Sequence, residues 1–143
     1  MTAAVTATDD RLWHAIRDEA QRAVASDPLF GKALAEAVLT HAGFAAALAD
    51  LIGRKLAGNA AERARFTAFS RDAFREAPEL VAAAGRDLQA IVRSDPAIAG
   101  LLAPLLHFKG YVALQAWRVS NWLWHHDHRD AALLFQNEAS NVL

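Results

Sequence analysis

PLLHFKGYVALQAWRVSNWLW, residues Pro104–Trp124, is the longest apolar run of the chain and gives the strongest indication of its fold. A helix that is apolar almost all round is buried on every side, within a domain or against another subunit. Gln115 and Arg118 are polar positions in this run and should therefore have hydrogen-bond partners. Gly110 costs a helix roughly 1 kcal/mol relative to alanine, which close approach of another backbone would offset. We predict a central core helix, with an inter-subunit helix as the alternative.

Helix signals continue on both sides of this run. In Asp27-Pro28 and Asp95-Pro96 the aspartate can accept from free N–H groups and proline suits a first helical turn. Asn59 and Glu62 stand three apart, as in a variant of the capping box. We predict a loose tail over residues 1–8, followed by a helix capped by Thr8 or Asp9. Further helices are predicted from Pro28 to about His41, with a stop at Gly43, over 44–56, from Asn59 and from Pro78. A short turn or helix should precede Gly100, and a last helix over 131–142 should follow a polar hinge at 125–130.

Strand signals are weak throughout the sequence. It has no run of alternating β-branched residues and no Asn-Gly or Asp-Gly hairpin turn. A length of 143 residues fits one domain. We therefore predict an all-α domain of seven to eight helices over residues 9–143, preceded by the flexible tail 1–8.

Composition excludes several classes of protein. The net charge is −1, from 15 basic and 16 acidic residues, which lacks the basic character of a nucleic-acid binder. No apolar run reaches the length that crosses a bilayer, and no signal peptide is evident. The absence of cysteine excludes disulfides and thiolate metal sites. We expect a cytoplasmic protein without nucleic-acid or membrane partners.

Two groups of residues could suggest chemistry. His125, His126 and His128 lie among aspartates, but they follow the end of a helix, where cations favour the negative dipole end, so we predict no metal site. Trp117, Trp122 and Trp124 with Arg118 could form a base-stacking surface, although their apolar surroundings favour core packing. Nucleophile and phosphate-loop motifs are missing. We predict no catalytic residue and no bound cofactor in this chain.

Three stretches resemble one known family. They are DLQAIVRSDPA (Asp87–Ala97), the Lys-Gly-Tyr and Gln-Ala-Trp-Arg spacing within Pro104–Trp124, and VLTHAGFAAALADLIGRKL (Val38–Leu56). All three are similar to the N-terminal helical domain of bacterial serine O-acetyltransferases. The resemblance runs from about Asp10 to Leu143. It is specific because the Lys-Gly-Tyr and Gln-Ala-Trp-Arg motifs fall at fixed spacing within one predicted helix.

The resemblance implies a fold and an activity. In the family the helical domain precedes a left-handed β-helix of hexapeptide repeats, and helical domains join two trimers into a hexamer. The enzyme transfers an acetyl group from acetyl-CoA to the hydroxyl of L-serine, giving O-acetylserine for cysteine biosynthesis. A His–Asp pair on the β-helix acts as general base, and the β-helix also carries the CoA groove. Docking with O-acetylserine sulfhydrylase is implied for the full-length enzyme only.

The resemblance assigns one substrate contact to this chain. Asp95 matches the family's Asp-Pro aspartate, which implies binding of the serine ammonium through a charge-assisted hydrogen bond. Pro96 is a second candidate, and an ordinary N-cap, as at Asp27, is the alternative for Asp95. Hexapeptide repeats and an Asp-His-x-x-Gly motif do not occur in the sequence. We therefore expect a truncated enzyme or separate domain that is inactive alone; the alternative is a stand-alone helical oligomerisation or regulatory module.

Overall fold

The computed structural model describes residues 2–143, with side chains from Asp10 onward. Over this part of the chain it contains eight α-helices, one π-helical turn and no strand, so the predicted all-α fold is confirmed. The elements are α1 (Thr2–Ser26), α2 (Pro28–Leu34), the π-helical turn (Ala35–Leu39), α3 (Phe44–Leu56), α4 (Ala60–Glu76), α5 (Pro78–Ser94), α6 (Leu102–His107), α7 (Lys109–His125) and α8 (Arg129–Val142).

Local capping signals place several of these helix starts. The Asp27 side chain accepts from the Leu29 N–H at 3.2 Å, at the start of α2. Asn59 Oδ1 accepts from the Glu62 N–H at 2.9 Å, as the capping pattern predicts. Glu62 in turn accepts from the N–H of Gly58 at 2.8 Å, so its side chain satisfies a donor just before the cap. These short-range hydrogen bonds explain why the predicted starts of α2 and α4 agree with the structure.

The start of α1 differs from the prediction. The helix already begins at Thr2, so the predicted cap at Thr8 or Asp9 is wrong, since both residues lie inside α1. The segment contains neither glycine nor proline and is rich in alanine, which favours continuation of the helix. Met1 lies outside the described residues, and the flexibility of residues 1–8 stays a prediction.

Pro104–Trp124 forms two helices rather than one. The α6 helix ends at His107, and Phe108 has an extended backbone (φ −85°, ψ 104°) that separates it from α7. Gly110 consequently lies in the first turn of α7 and not in the middle of a helix. A Cβ added there would meet no described atom within 4 Å beyond its own helix and chain neighbours. Within the described part of this chain, therefore, no other backbone makes the predicted close approach to Gly110.

The α7 helix is buried on one side only. Its buried side chains face α3, α4, α5 and α8; they are Tyr111, Val112, Gln115, Ala116, Val119 and Leu123. On the opposite side Leu114, Trp117 and Trp124 are exposed, Trp117 by 59% of its surface. Burial on every side is therefore wrong for this chain by itself. Core packing is wrong for Trp117 and Trp124, whereas Trp122 is partly buried against the core. We call Leu114, Trp117 and Trp124 the α7 apolar face.

Helices α3 and α4 pack closely against each other. A Cβ on Gly53 would lie 2.9 Å from the carbonyl oxygen of Arg63, so glycine allows the two backbones to approach closely. The ring of Phe66 on α4 meets that of Phe135 on α8 edge-on, with centroids 5.0 Å apart. Because α8 also packs along α7, these contacts join the two helix pairs into one core.

No described helix is by itself long and apolar enough to cross a bilayer. The segments Pro28–Leu39 and Phe44–Leu56 meet the length and composition required only as a pair, which is bent by 116°. Side chains from both segments belong to the hydrophobic core, including Val38, Leu48 and Ile52.

Candidate functional site

Asp95 lies where α5 ends. Its backbone is extended (φ −127°, ψ 105°), and its carbonyl oxygen accepts from the Ile98 N–H at 3.1 Å. Its side-chain Oδ1 accepts from the Ala97 N–H at 2.9 Å. This is the local turn that aspartate favours, and no helix restarts before Gly100. Asp95 therefore caps a turn and does not serve as the N-cap of a new helix, as Asp27 does.

The carboxylate of Asp95 is accessible. Asp95, Pro96 and Ala97 are all exposed. Among the described side chains, no cation lies within ion-pair distance of Asp95. One carboxylate oxygen holds the turn, and the other can accept a hydrogen bond from a ligand. Pro96 has no N–H to donate, and its ring restricts the backbone next to Asp95.

The helix that carries Asp95 is attached to α7 by three residues, which we call the Asp87 cluster: Asp87, Gln115 and Arg118. Gln115 Nε2 donates to Asp87 Oδ2 at 3.0 Å. Arg118 donates to the same oxygen and, at 2.9 Å, to Gln115 Oε1. The prediction that Gln115 and Arg118 have partners is confirmed. Asp87 was missed as their partner, because its position on another helix gives no local signal.

Tyr111 makes a second connection between the same helices. Its hydroxyl donates to the carbonyl oxygen of Ala84 at 2.9 Å, in a buried environment. Burial, with the negative charge of Asp87 adding to it, raises the pKa of Tyr111 far above its usual range. The hydroxyl therefore stays a neutral donor. Tyr111, Gln115 and Arg118 therefore share the side of α7 that faces α5, and their spacing in the two motifs lets all three bond to α5.

The other end of the Asp95 loop, which we define as residues 95–101, is held by α1. Glu19 Oε1 accepts from the N–H of Leu101 at 3.0 Å, and Oε2 accepts from that of Leu102 at 2.9 Å. A Cβ on Gly100 would lie 2.7 Å from the carboxylate, so the glycine leaves room for it. Sequence reasoning missed Glu19, which is more than 80 positions away along the chain.

Asp50 is the carboxylate with the most partners. It accepts from His41 at 3.2 Å, from Arg54 at 2.9 Å and from Arg63 at 2.8 Å, and we call these four residues the Asp50 cluster. Burial by itself would raise the pKa of Asp50. The hydrogen bond from Arg63 and the charges of Arg54, Arg63 and His41 outweigh this effect and hold it below the usual range. Both oxygens are occupied from within the chain, so this cluster stabilises the fold.

The histidines after α7 do not converge on a common point. His126 Nδ1 lies 2.8 Å from the carbonyl oxygen of Trp122, and the His126 ring stacks on that indole at 4.3 Å between centroids. Asp127 adopts a left-handed conformation (φ 63°), which turns the chain towards α8. Within the part of the chain that the structure describes, no three His, Asp or Glu side chains are arranged to hold a metal ion.

Comparison with known proteins identifies relatives of the whole chain. The family model described as serine acetyltransferase, N-terminal, matches residues 12–116. Serine acetyltransferase of Escherichia coli K12 is 31% identical over 90% of this chain and 47% of its own length. Probable serine acetyltransferase 3 of Oryza sativa is 36% identical over 98% of this chain and 47% of its own length. Soybean serine acetyltransferase complexed with serine superposes with a TM-score of 0.88 at 31% identity, over 94% of this chain and 56% of that one.

The chain thus spans about half the length of the curated relatives it matches. The family-model match covers α2 to α6 completely, and with them the Asp95 loop, and it ends within α7. By its sequence and by its fold, the chain belongs to the serine acetyltransferase family and corresponds to the N-terminal helical part of its members.

Proposed function

We propose that this chain is the N-terminal helical domain of a serine O-acetyltransferase, which transfers an acetyl group from acetyl-CoA to the hydroxyl of L-serine. The observation that carries the proposal is the accessible carboxylate of Asp95 in the family's Asp-Pro stretch. It stands on a loop that follows α5, which is bonded to α7, and the far end of the loop is bonded to α1. A relative that superposes closely has been solved with serine, which supports the choice of ligand.

Asp95 would bind the ammonium group of serine. A carboxylate forms a charge-assisted hydrogen bond with an ammonium, which is stronger than a neutral one. Asp95 also follows the last residue of α5, where the helix dipole presents its negative end. Both effects favour a cation at this position. Pro96 would contribute by restricting the backbone beside the carboxylate.

The remaining steps of the reaction would be performed outside this chain. The resemblance implies that the β-helix carries the general base, the arginine that binds the serine carboxylate, and the CoA groove. We propose that acetyl-CoA is the co-substrate of the full-length enzyme, that this enzyme is cytoplasmic, and that any docking with O-acetylserine sulfhydrylase belongs to it. The product, O-acetylserine, would enter cysteine biosynthesis. Without those groups little would stabilise a transition state, so the 143-residue chain should be inactive alone.

The test is a fusion enzyme, in which this chain is followed by the part of the Escherichia coli relative that lies beyond the matched region. Serine-dependent release of CoA from acetyl-CoA is expected from the fusion enzyme and not from the chain alone. Asp95→Ala should raise the KM for serine by about tenfold or more, as loss of a charge-assisted hydrogen bond would. The KM for acetyl-CoA should stay nearly unchanged.

Asp72→Ala is the control for this substitution, because Asp72 is an exposed aspartate paired only with a surface arginine on α4. Equal increases in both KM values after Asp95→Ala would contradict the proposed role of Asp95. Serine-dependent CoA release by the chain alone would contradict the proposal that catalysis requires groups outside this chain. A fusion enzyme that assembles but has no activity would favour the alternative of a non-catalytic module.

We also propose that a second copy of this chain covers the α7 apolar face, as part of a homo-oligomer that in the family is a dimer of trimers. Leu114, Trp117 and Trp124 share one side of α7, and Leu133 of α8 is also 51% exposed. Exposed apolar residues grouped in this way are typical of interaction surfaces. Tryptophan is also enriched among residues that dominate interface energies.

Sedimentation of the chain over a range of concentrations tests this surface. Self-association is expected for the natural sequence, and Trp117→Lys should weaken it by at least about tenfold, as loss of a central aromatic contact does. Lys32→Ala on α2 is an exposed control that should leave the association unchanged. A chain that remains monomeric at high concentration would contradict the proposal.

A further inference from the structure

Glu19 lies on α1 and contacts the segment that carries Asp95. Its two carboxylate oxygens accept from two consecutive backbone N–H groups, those of Leu101 at 3.0 Å and Leu102 at 2.9 Å. These N–H groups lie at the start of α6, where a helix has no internal acceptors for them. Both bonds are charge-assisted and are therefore stronger than the neutral kind.

The Asp95 loop has few other means of being held in place. Asp95, Pro96, Ala97 and Ala99 are exposed, so little apolar burial orders this part of the chain. Among the residues that the structure describes, the Asp95 side chain bonds to the local backbone alone, at Ala97. The loop conformation therefore depends on its ends. One end is α5, which the Asp87 cluster and Tyr111 attach to α7. The other is Leu101, whose side chain packs against the hydrophobic core and whose N–H bonds to Glu19 of α1.

We propose that Glu19 is a positioning residue for serine binding: it holds the Asp95 loop so that the Asp95 carboxylate faces the substrate ammonium. This inference rests on the proposed function of Asp95. Glu19 itself touches no substrate in this scheme. Gly100 is required for the same contact. A Cβ at this position would lie 2.7 Å from the Glu19 carboxylate, so any side chain there would displace that carboxylate.

The first experiment measures amide hydrogen exchange in the 143-residue chain. Glu19→Gln removes the charge and leaves one acceptor for two donors, so the Leu101 and Leu102 amides should exchange at least about tenfold faster. Exchange in the core of α3 should not change. Asp18→Asn, on the exposed neighbour in α1, is the matched control and should have no effect at these amides. Unchanged exchange at Leu101 and Leu102 in Glu19→Gln would overturn the proposal.

The second experiment measures kinetics in the fusion enzyme. Glu19→Gln should raise the KM for serine by about fivefold, less than Asp95→Ala does, because the ligand contact is displaced and not removed. The kcat and the KM for acetyl-CoA should stay within about twofold. Gly100→Ala should give the same pattern without a change of charge, and it replaces Glu19→Gln if that variant does not fold.

The outcomes separate this inference from the proposed function. If Asp95→Ala raises the serine KM and neither Glu19→Gln nor Gly100→Ala does, the positioning role is overturned and the role of Asp95 stands. If Glu19→Gln and Gly100→Ala each raise the KM for serine and the KM for acetyl-CoA equally, Glu19 is only structural and the inference fails. If Asp95→Ala leaves the serine KM unchanged, the proposed function fails and the positioning role fails with it, even where amide exchange responds.

Discussion

The Asp50 cluster and the Asp95 loop each contain a carboxylate at a connection between helices, but they differ in what surrounds it. Asp50 is 7% exposed and accepts hydrogen bonds from His41, Arg54 and Arg63. Asp95 is exposed and accepts from the backbone N–H of Ala97. The cations around Asp50 therefore neutralise its charge within the chain, whereas the charge of Asp95 remains available to a ligand.

In our proposal, unused hydrogen-bonding capacity distinguishes Asp95, as the carboxylate that binds the ligand, from Asp50, whose role is structural. A buried charge without partners is strongly unfavourable, so Asp50 requires the cations that surround it. An exposed carboxylate has no such requirement, and water solvates it until a ligand arrives. The same distinction applies to Glu19 and Asp87, whose hydrogen bonds stay within the chain and which we regard as supports for Asp95.

The largest loss of stability is expected from Asp50→Ala. The substitution leaves two arginines and a histidine without their anion, and breaking a buried ion pair from one side is strongly destabilising. We expect a loss of about 2–3 kcal/mol, below the largest such values, because Arg63 is 46% exposed and can turn towards water. Urea denaturation measures the loss.

The control is Asp72→Ala, which breaks an exposed pair with Arg75 and should change stability by less than about 0.5 kcal/mol. If both substitutions had equal effects, the Asp50 cluster would be no more important than a surface ion pair.

A smaller effect on the free energy of unfolding is expected at acidic pH. The pKa of Asp50 is lower in the folded chain than in the unfolded chain, because its cations outweigh the effect of burial. A depressed carboxyl pKa contributes stability above the unfolded value, about 4, and this contribution is lost as the pH falls through the folded value. The free energy of unfolding should therefore decrease below about pH 4. Asp50→Asn should show a shallower decrease, and equal slopes would contradict the assignment.

The smallest effect on stability is expected from Asp95→Asn. The asparagine oxygen can still accept from the Ala97 N–H, so the turn is retained. We expect a change in the free energy of unfolding of less than about 0.5 kcal/mol, typical of an exposed substitution. Thermal denaturation followed by circular dichroism is a sufficient measurement. A loss comparable to that of Asp50→Ala would remove the distinction between the two carboxylates.

Features that depend on neighbours along the chain were predictable from the sequence. The bounds of α3 agree with the prediction over 44–56, and the caps at Asp27 and Asn59 form as expected. The turn at Asp95 was one of the two predicted outcomes, because aspartate before proline favours both a turn and a helix start. These features involve hydrogen bonds over two or three residues, which a sequence pattern records directly.

Features that depend on distant residues could not be predicted. The need of Gln115 and Arg118 for partners was evident, but the identity of Asp87 was not. Trp117 and Trp124 were expected in the core, yet only one side of α7 packs against other helices. An apolar sequence indicates that a surface favours burial, and it does not indicate whether this chain or another copy provides the cover.

The amino-acid sequence was enough to predict the helical class, most helix boundaries and, through its resemblance to serine acetyltransferases, the candidate residue Asp95. Only the three-dimensional structure shows that Asp50, Glu19 and Asp87 are bonded within the chain while Asp95 stays accessible, because this depends on the packing of α1, α3, α5 and α7. It also decided that Glu19 attaches to the Asp95 loop. Local hydrogen bonds are set by short spacings along the chain, whereas the partners of a charge are set by which helices meet in space.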